Sequence, residues 1–290
     1  MVYAKFVGII NFVADTPFNI GGRREANRLY TLRLNDRLLI PASTWKGAFR
    51  SIAEKIARTM SLTGVEKTAV EVAASAHDVS ELIGNITRSH ADLLEKFKTE
   101  LENREWSQFP EADKVLRELG YRDEDLASES PEWLLAQYLL YHCPIGKLFG
   151  NWVRAGSLLF TDTLIQSKLH TRPGVGIDRA SGTVKEDVLY FVETSTPGLK
   201  VQLILIGDID ARASTPSTLL ARTLQAIKTI GLSLGARKSA GLGALSMLSA
   251  EFHTVELGKD PELHANPLKA PKMTLDEFTQ WLEGTKNPNT

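Results

Sequence analysis

Charge changes sign along this chain, and the change limits how it can be organised. Residues 1–60 carry 10 basic and 4 acidic side chains, and residues 141–250 carry 12 and 7, whereas residues 61–140 carry 8 and 17. Residues 251–290 carry 4 and 7. The net charge of −1 therefore hides a basic body interrupted by an acidic block. Inside that block Leu93, Phe97 and Leu101 recur at helical spacing. Ser130-Pro131 ahead of residues 132–141 has the form of an N-cap, a first-turn proline and an apolar helix. The block is read as a helical insertion whose Trp106, Phe109 and Trp133 belong to its own core.

With 61–140 set aside, the rest runs strand, helix, strand, long loop, strand, helix, strand. Residues 3–14 form a β-branched and aromatic first strand. Residues 29–34 and 38–40 form a hairpin turned at Asn35-Asp36. Ser43 is placed as the N-cap of a helix with Trp45, Phe49, Ile52 and Ile56 on one face and Lys46 and Arg50 on another. Strands follow at 157–165, 188–193 and 200–207. Thr215-Pro216 caps a helix lined by Leu220, Leu224 and Ile227, and a last strand covers about 244–255. That order matches the split βαβ arrangement of an α+β, ferredoxin-like sheet, the framework of RNA-recognition motifs. The predicted organisation is a body made of 1–60 and 141–256, the insertion at 61–140, and a C-terminal tail over 257–290 with one short helix near 275–282. The stretch 166–185 is polar, basic and too long for a simple turn.

Two glycine-rich stretches stand out. Residues 231–243 read GLSLGARKSAGLG, with Arg237 and Lys238 in the middle. Small residues leave backbone amides accessible, and amides beside cations favour a passing polyanion. A helix C-cap at Gly231 accounts for one of the four glycines. Residues 18–24, FNIGGRR, place Gly21-Gly22 before Arg23-Arg24, a grouping suited to phosphates. Lys46 sits in a first helical turn, where the helix dipole disfavours a cation and an anionic partner would be favoured.

Other classes are excluded or left bare. Cys143 is the single cysteine, which rules out an internal disulfide, and no Cys/His cluster has zinc spacing. No apolar run is long enough to span a bilayer, and MVYAKFVGIINF turns polar too soon for a signal peptide, so a cytoplasmic protein without a membrane partner is expected. No acid, base and nucleophile set converges for small-molecule chemistry.

Five stretches, FNIGG at 18–22, IPASTWKGAFR at 40–50, CPIGKLFG at 143–150, VGIDRASGTVKEDVLYFVE at 175–193 and LGARKSAGLG at 234–243, together resemble the repeat-associated mysterious protein (RAMP) superfamily of CRISPR effectors. They look most like the backbone subunits of type III complexes. The resemblance implies a subunit that stacks with copies of itself and other effector subunits along a guide RNA, in a ribonucleoprotein of antiviral defence that pairs with complementary target RNA. It implies that the helix from Ser43 to Arg50 and the glycine loop hold guide phosphates. It also implies that Ile177, Asp178 and Arg179 belong to a thumb-like hairpin wedged across the guide:target duplex. Some such subunits cut target RNA with an aspartate between the GG loop and the IPxS helix start, which brings in Mg2+ or Mn2+. Here the expected place holds Arg28, and Glu25 and Asp36 are the acids of that segment. Turn chemistry already accounts for Asp36. The alternative is a stand-alone endoribonuclease of the same superfamily that processes CRISPR precursor RNA, with His142 or His170 as general base.

Overall fold

The computed structural model describes residues 3–73, 78–178, 180–258 and 261–285. Strand β1 (Ala4–Ala14) alternates buried and half-buried residues along its whole length, with Phe6, Ile10 and Phe12 fully buried. A period of two with one face covered is what a sheet packed on helices requires. Only a central strand has partners on both edges, and β1 has them. It pairs antiparallel with β10 (Lys200–Ile209) on one side and β12 (Ala244–Glu256) on the other. The short β6 (Leu158–Phe160) pairs with β10, so the order is β12-β1-β10-β6. Helix α1 (Ala42–Thr59) connects β1 towards β6, and α9 (Thr215–Ile230) connects β10 to β12. This is the ferredoxin-like fold, with β11 (Leu232–Ser233) and β13 (Lys272–Thr274) added beyond β12.

Aromatic side chains fasten α1 to the buried face of this sheet. The Trp45 ring stacks on Phe12 with centroids 5.4 Å apart, and Phe49 meets Phe160 edge-on at 5.3 Å. The Trp45 indole N–H donates to Thr163 Oγ1 at 3.1 Å, which satisfies a fully buried donor. Helix α9 begins one residue earlier than Thr215-Pro216 suggests, because Ser214 is the cap and its Oγ accepts from Ser217 N–H.

The segment read as a tail is a structural element of the sheet domain. Helix α11 (Leu275–Leu282) starts with a capping box between Thr274 and Glu277. It buries Phe278 and Trp281, and Phe278 stacks on Phe252 at 4.1 Å.

Two smaller sheets complete this unit. One has the order β2 (Gly21–Glu25), β3 (Arg28–Thr31), β9 (Val184–Thr194), β8 (His170–Ile177). The other joins β4 (Arg33–Leu34), β5 (Arg37–Ile40) and β7 (Thr163–Ile165). Asn35 and Asp36 both have positive φ, 49° and 60°, so the β4–β5 connection has the two left-handed residues that a tight hairpin favours. The stretch 166–185 is not one long loop: it holds β8 and leads into the start of β9. Its first strand is exposed along most of its length, so no alternation of polar and apolar residues marked it.

The chain divides into two compact units, Met1–Ile52 with Leu158–Thr290, and Ala53–Ser157. The second contains α2 (Gly64–Ala73), α3 (Val79–Ser89), α4 (Ala91–Asn103), α5 (Ala112–Glu118), α6 (Asp123–Ser128), α7 (Pro131–His142) and α8 (Pro144–Phe149). Helix α7 is apolar nearly all round, as a helix surrounded by others must be. It buries Leu134, Leu135, Tyr138 and Leu139 and touches α2, α3, α4, α5 and α8. Ser130 caps it, accepting from Trp133 N–H at 3.2 Å. The CPIGKLFG stretch forms α8 and lies in this helical unit because Ile145, Leu148 and Phe149 are buried there.

Candidate nucleic-acid interface

The first turn of α1 is closed by a residue distant in sequence. The helix begins at Ala42, whose N–H donates to Asp162 Oδ1 at 2.7 Å. Ser43 is therefore inside the first turn and is not the cap, which corrects the expectation above. A carboxylate at that position satisfies an orphan donor and opposes the positive end of the helix dipole. Ser43 is exposed, and Lys46 is half-buried with no carboxylate partner among the described residues. Arg50 follows four positions on, one turn along the same face.

The glycine loop is built for close approach more than for open amides. Leu234 N–H donates to Gly243 O at 2.8 Å, Ala236 N–H to Asn19 O at 2.9 Å, and Gly243 N–H to Pro17 O at 2.9 Å. Ala240, Gly241 and Leu242 also donate within the loop. A Cβ on Gly235 would fall 2.1 Å from Asn19 O, and one on Gly243 would fall 2.0 Å from Leu234 O, both at positive φ. These two glycines are required by packing and backbone conformation together. The expectation of a run of accessible amides is corrected accordingly, and what the loop offers outward is side-chain charge. Arg237 and Lys238 are exposed. Arg237 adopts the left-handed conformation at φ 57°, and its guanidinium lies 4.0 Å from the centroid of the Tyr190 ring on β9.

The FNIGGRR segment runs beside this loop. Phe18, Asn19 and Ile20 are buried. Phe18 N–H donates to Ser195 Oγ at 3.0 Å, and Asn19 Nδ2 donates to Glu193 O at 2.7 Å. The chain then emerges as β2, exposed at every residue. Arg23 is ion-paired with Glu25, while Arg24 is exposed opposite Leu29.

The hairpin of β8 and β9 carries apolar side chains into solvent. Ile177 is 64% exposed, and the directly paired Val175 and Leu189 are also exposed. At its tip Asp178 Oδ1 accepts from Ala180 N–H at 2.8 Å and Ser181 N–H at 3.1 Å. Those amides, Ser181 first, hold the Asp178 carboxyl below its ordinary range. Asp178 thus shapes the turn. Arg179 lies outside the described residues.

A family model, described as the RAMP superfamily, matches residues 11–246. The chain belongs to the RAMP superfamily. Membership carries a CRISPR-associated, RNA-binding role. The match runs from within β1 into β12 and so takes in the glycine loop, the GG segment, α1 and the hairpin. A comparison with curated proteins finds no match. No helix among the described residues of this RAMP is long and apolar enough to cross a membrane.

The structure of this RAMP also tests where a metal and a general base could sit. Glu25 is engaged by Arg23, Asp36 occupies an exposed turn, and no three His, Cys, Asp or Glu side chains among the described residues converge to hold an ion. The carboxylates between the GG segment and α1 do not fit a Mg2+ or Mn2+ site. Arg28, at the position where the resemblance expects the aspartate, lies 5.7 Å from the Phe191 centroid and 5.9 Å from that of Tyr30. His142 is in the helical unit, its ring 4.7 Å from that of Tyr138 and its Nε2 buried without a partner. Burial, followed by the charge of Lys147, lowers it to about 4. His170 is exposed at the start of β8.

Arg237 and Tyr190, and Asn19 and Glu193, are brought together by β9, and none of these pairs is visible from local spacing. A reading of periodicity could not find Tyr190, because its role depends on the register with Gly174 and on a loop far along the chain.

Proposed function

We propose that this RAMP is an RNA-binding backbone subunit of a type III CRISPR ribonucleoprotein effector, stacked with its own copies and other subunits along the guide RNA in cytoplasmic antiviral defence. The observation that supports this reading most is the meeting of Arg237 with Tyr190. It joins a loop whose outward charge is cationic to a hairpin whose outward face is apolar. Phosphates are attracted to the cationic side chains of Arg and Lys, and an apolar hairpin surface suits the faces of bases. In this reading Lys46, Arg50, Arg237 and Lys238 contact guide phosphates, with Ser43 and the arginines of β2 at the margin. Ile177, at the hairpin end, is wedged between paired bases of guide and target.

The subunit holds target RNA and does not cut it. Arginine at position 28 stays protonated and stabilises phosphate charge but cannot hold a metal or take a proton. The test is a reconstituted effector with Mg2+ and Mn2+ and a complementary RNA. Lys46→Ala and Arg237→Ala with Lys238→Ala should each weaken binding for all sequences alike, and each lost contact should lower the salt slope by roughly one unit. Losses confined to some sequences would show base readout and refute the phosphate assignment. Cleavage abolished by Asp36→Asn or Glu25→Gln, with binding intact, would make this a nuclease subunit. Cleavage of precursor RNA by the isolated chain would establish the stand-alone endoribonuclease instead.

A further inference from the structure

The Tyr190 ring is fixed by what lies around it. Register places Tyr190 directly across from Gly174. The ring lies so close over that residue that a Cβ there would fall 2.3 Å from Tyr190 Cζ and 2.5 Å from its hydroxyl oxygen. Any side chain at 174 displaces the ring. The Arg237 guanidinium, 4.0 Å from the ring centroid, is within stacking range. Its backbone is held too, since its carbonyl accepts from Ala240 N–H at 2.9 Å and Leu242 N–H at 3.4 Å. The guanidinium itself makes no hydrogen bond or ion pair among the described residues. Stacking uses the face of the guanidinium and leaves its N–H donors, which lie in the plane, available to phosphate oxygens.

We propose that Tyr190 is a positioning residue for RNA contact: it orders Arg237 in the free protein, so that a phosphate meets a donor fork already set. The proposal rests on the reading of the glycine loop as an RNA-contacting element and names the residue that prepares it. An unstacked arginine loses rotamer freedom when it binds, and a pre-stacked one has lost part of it beforehand. Strand β9 repeats the device. Its next residue, Phe191, carries Arg28 at 5.7 Å, on the opposite face because successive strand residues alternate.

The full chain is tested with a fluorescent single-stranded oligouridine as probe. Tyr190→Phe keeps the ring and should bind within about twofold of wild type, whereas Tyr190→Leu should bind roughly three- to fivefold more weakly. Gly174→Ala should reproduce the Tyr190→Leu loss with both stacking side chains intact, and it serves as the test if the leucine variant does not fold. Tyr190→Leu combined with Arg237→Ala should bind no more weakly than Arg237→Ala alone. A loss in the double variant equal to the product of the single losses overturns the proposal, as does Tyr190→Phe behaving like Tyr190→Leu. In RNA-free protein the Arg237 Nε–H resonance should show a ring-current shift that Tyr190→Leu abolishes. Arg237→Ala binding as wild type while that shift is present refutes the RNA reading of the loop, and the proposal falls with it. Absence of the shift in wild type refutes the stack itself.

Discussion

Asp162→Ala is expected to destabilise the sheet unit by about 1 kcal/mol, because Ala42 N–H loses its acceptor and the start of α1 loses an adjacent negative charge. Denaturant unfolding measures it. Ser43→Ala should leave stability nearly unchanged, since the Ser43 side chain does not cap the helix; the reverse ranking would restore Ser43 as the cap. The contrast explains what single residues could and could not disclose. A serine ahead of an apolar helical pattern is a local signal, and it pointed to the correct helix but placed its start two residues late. The carboxylate that closes the helix comes from the β6–β7 turn, and no spacing rule reaches that far. Glycine behaved likewise. Gly235 and Gly243 were legible as conformationally special, but their reason is the carbonyl of Asn19 and that of Leu234, which only the folded chain brings near.

Legibility of the elements follows burial. Strand β1, with one face covered, and α11, with its capping box, were readable because one-sided burial or a cap writes a period into the sequence. Strands β2 and β8 are exposed and carry no such period, so the sequence around β8 reads as part of a loop. The helices of the second unit carry a titration signature of their own. Glu100 is buried between α4 and the following turn, where burial pushes its carboxyl up. Hydrogen bonds from Ser107 Oγ at 2.7 Å and Gln108 N–H at 3.0 Å outweigh that and hold it below the usual carboxylate range. A depressed carboxyl contributes stability above its unfolded value and loses it as pH falls through the folded one. His142, lowered to about 4, acts in the same direction, favouring the folded state at neutral pH and ceasing to do so on acidification towards pH 4. The helical unit should therefore melt at a lower temperature as pH drops from 7 to 4. Glu100→Gln should cost about 1–2 kcal/mol at pH 7 and remove the further loss of stability that follows at still lower pH, leaving the change between pH 7 and 4 in place. A melting temperature unchanged between pH 7 and 4 would contradict the His142 assignment, and one unchanged on further acidification would contradict that of Glu100.

At the scale of the whole molecule, the two units each have an apolar core, with Phe6, Phe252 and Phe278 in one and Phe97, Phe109 and Tyr138 in the other. Replacing residues 60–157 by a flexible linker is expected to leave the ferredoxin-like unit folded, with cooperative melting retained by circular dichroism. Non-cooperative melting would show that its core depends on the helical unit. The acidic block at 61–140 falls within the second compact unit, but charge alone could not place the limits of that unit, because the boundary at Ala53 falls inside the continuous helix α1. The position of β1 bears on how the protein is made. Strand β1 is the centre of the sheet and is synthesised long before either of the strands that pair with its edges, which begin at Lys200 and Ala244. At translation rates of about 5–20 residues per second, its unpaired edges wait roughly 10–45 s for their partners. The helical unit, rich in local contacts and synthesised in between, can fold during that interval. For this chain the most exposed moment comes during its own synthesis, and the strand at greatest risk of pairing with a neighbouring nascent chain is the one that ends up most deeply enclosed.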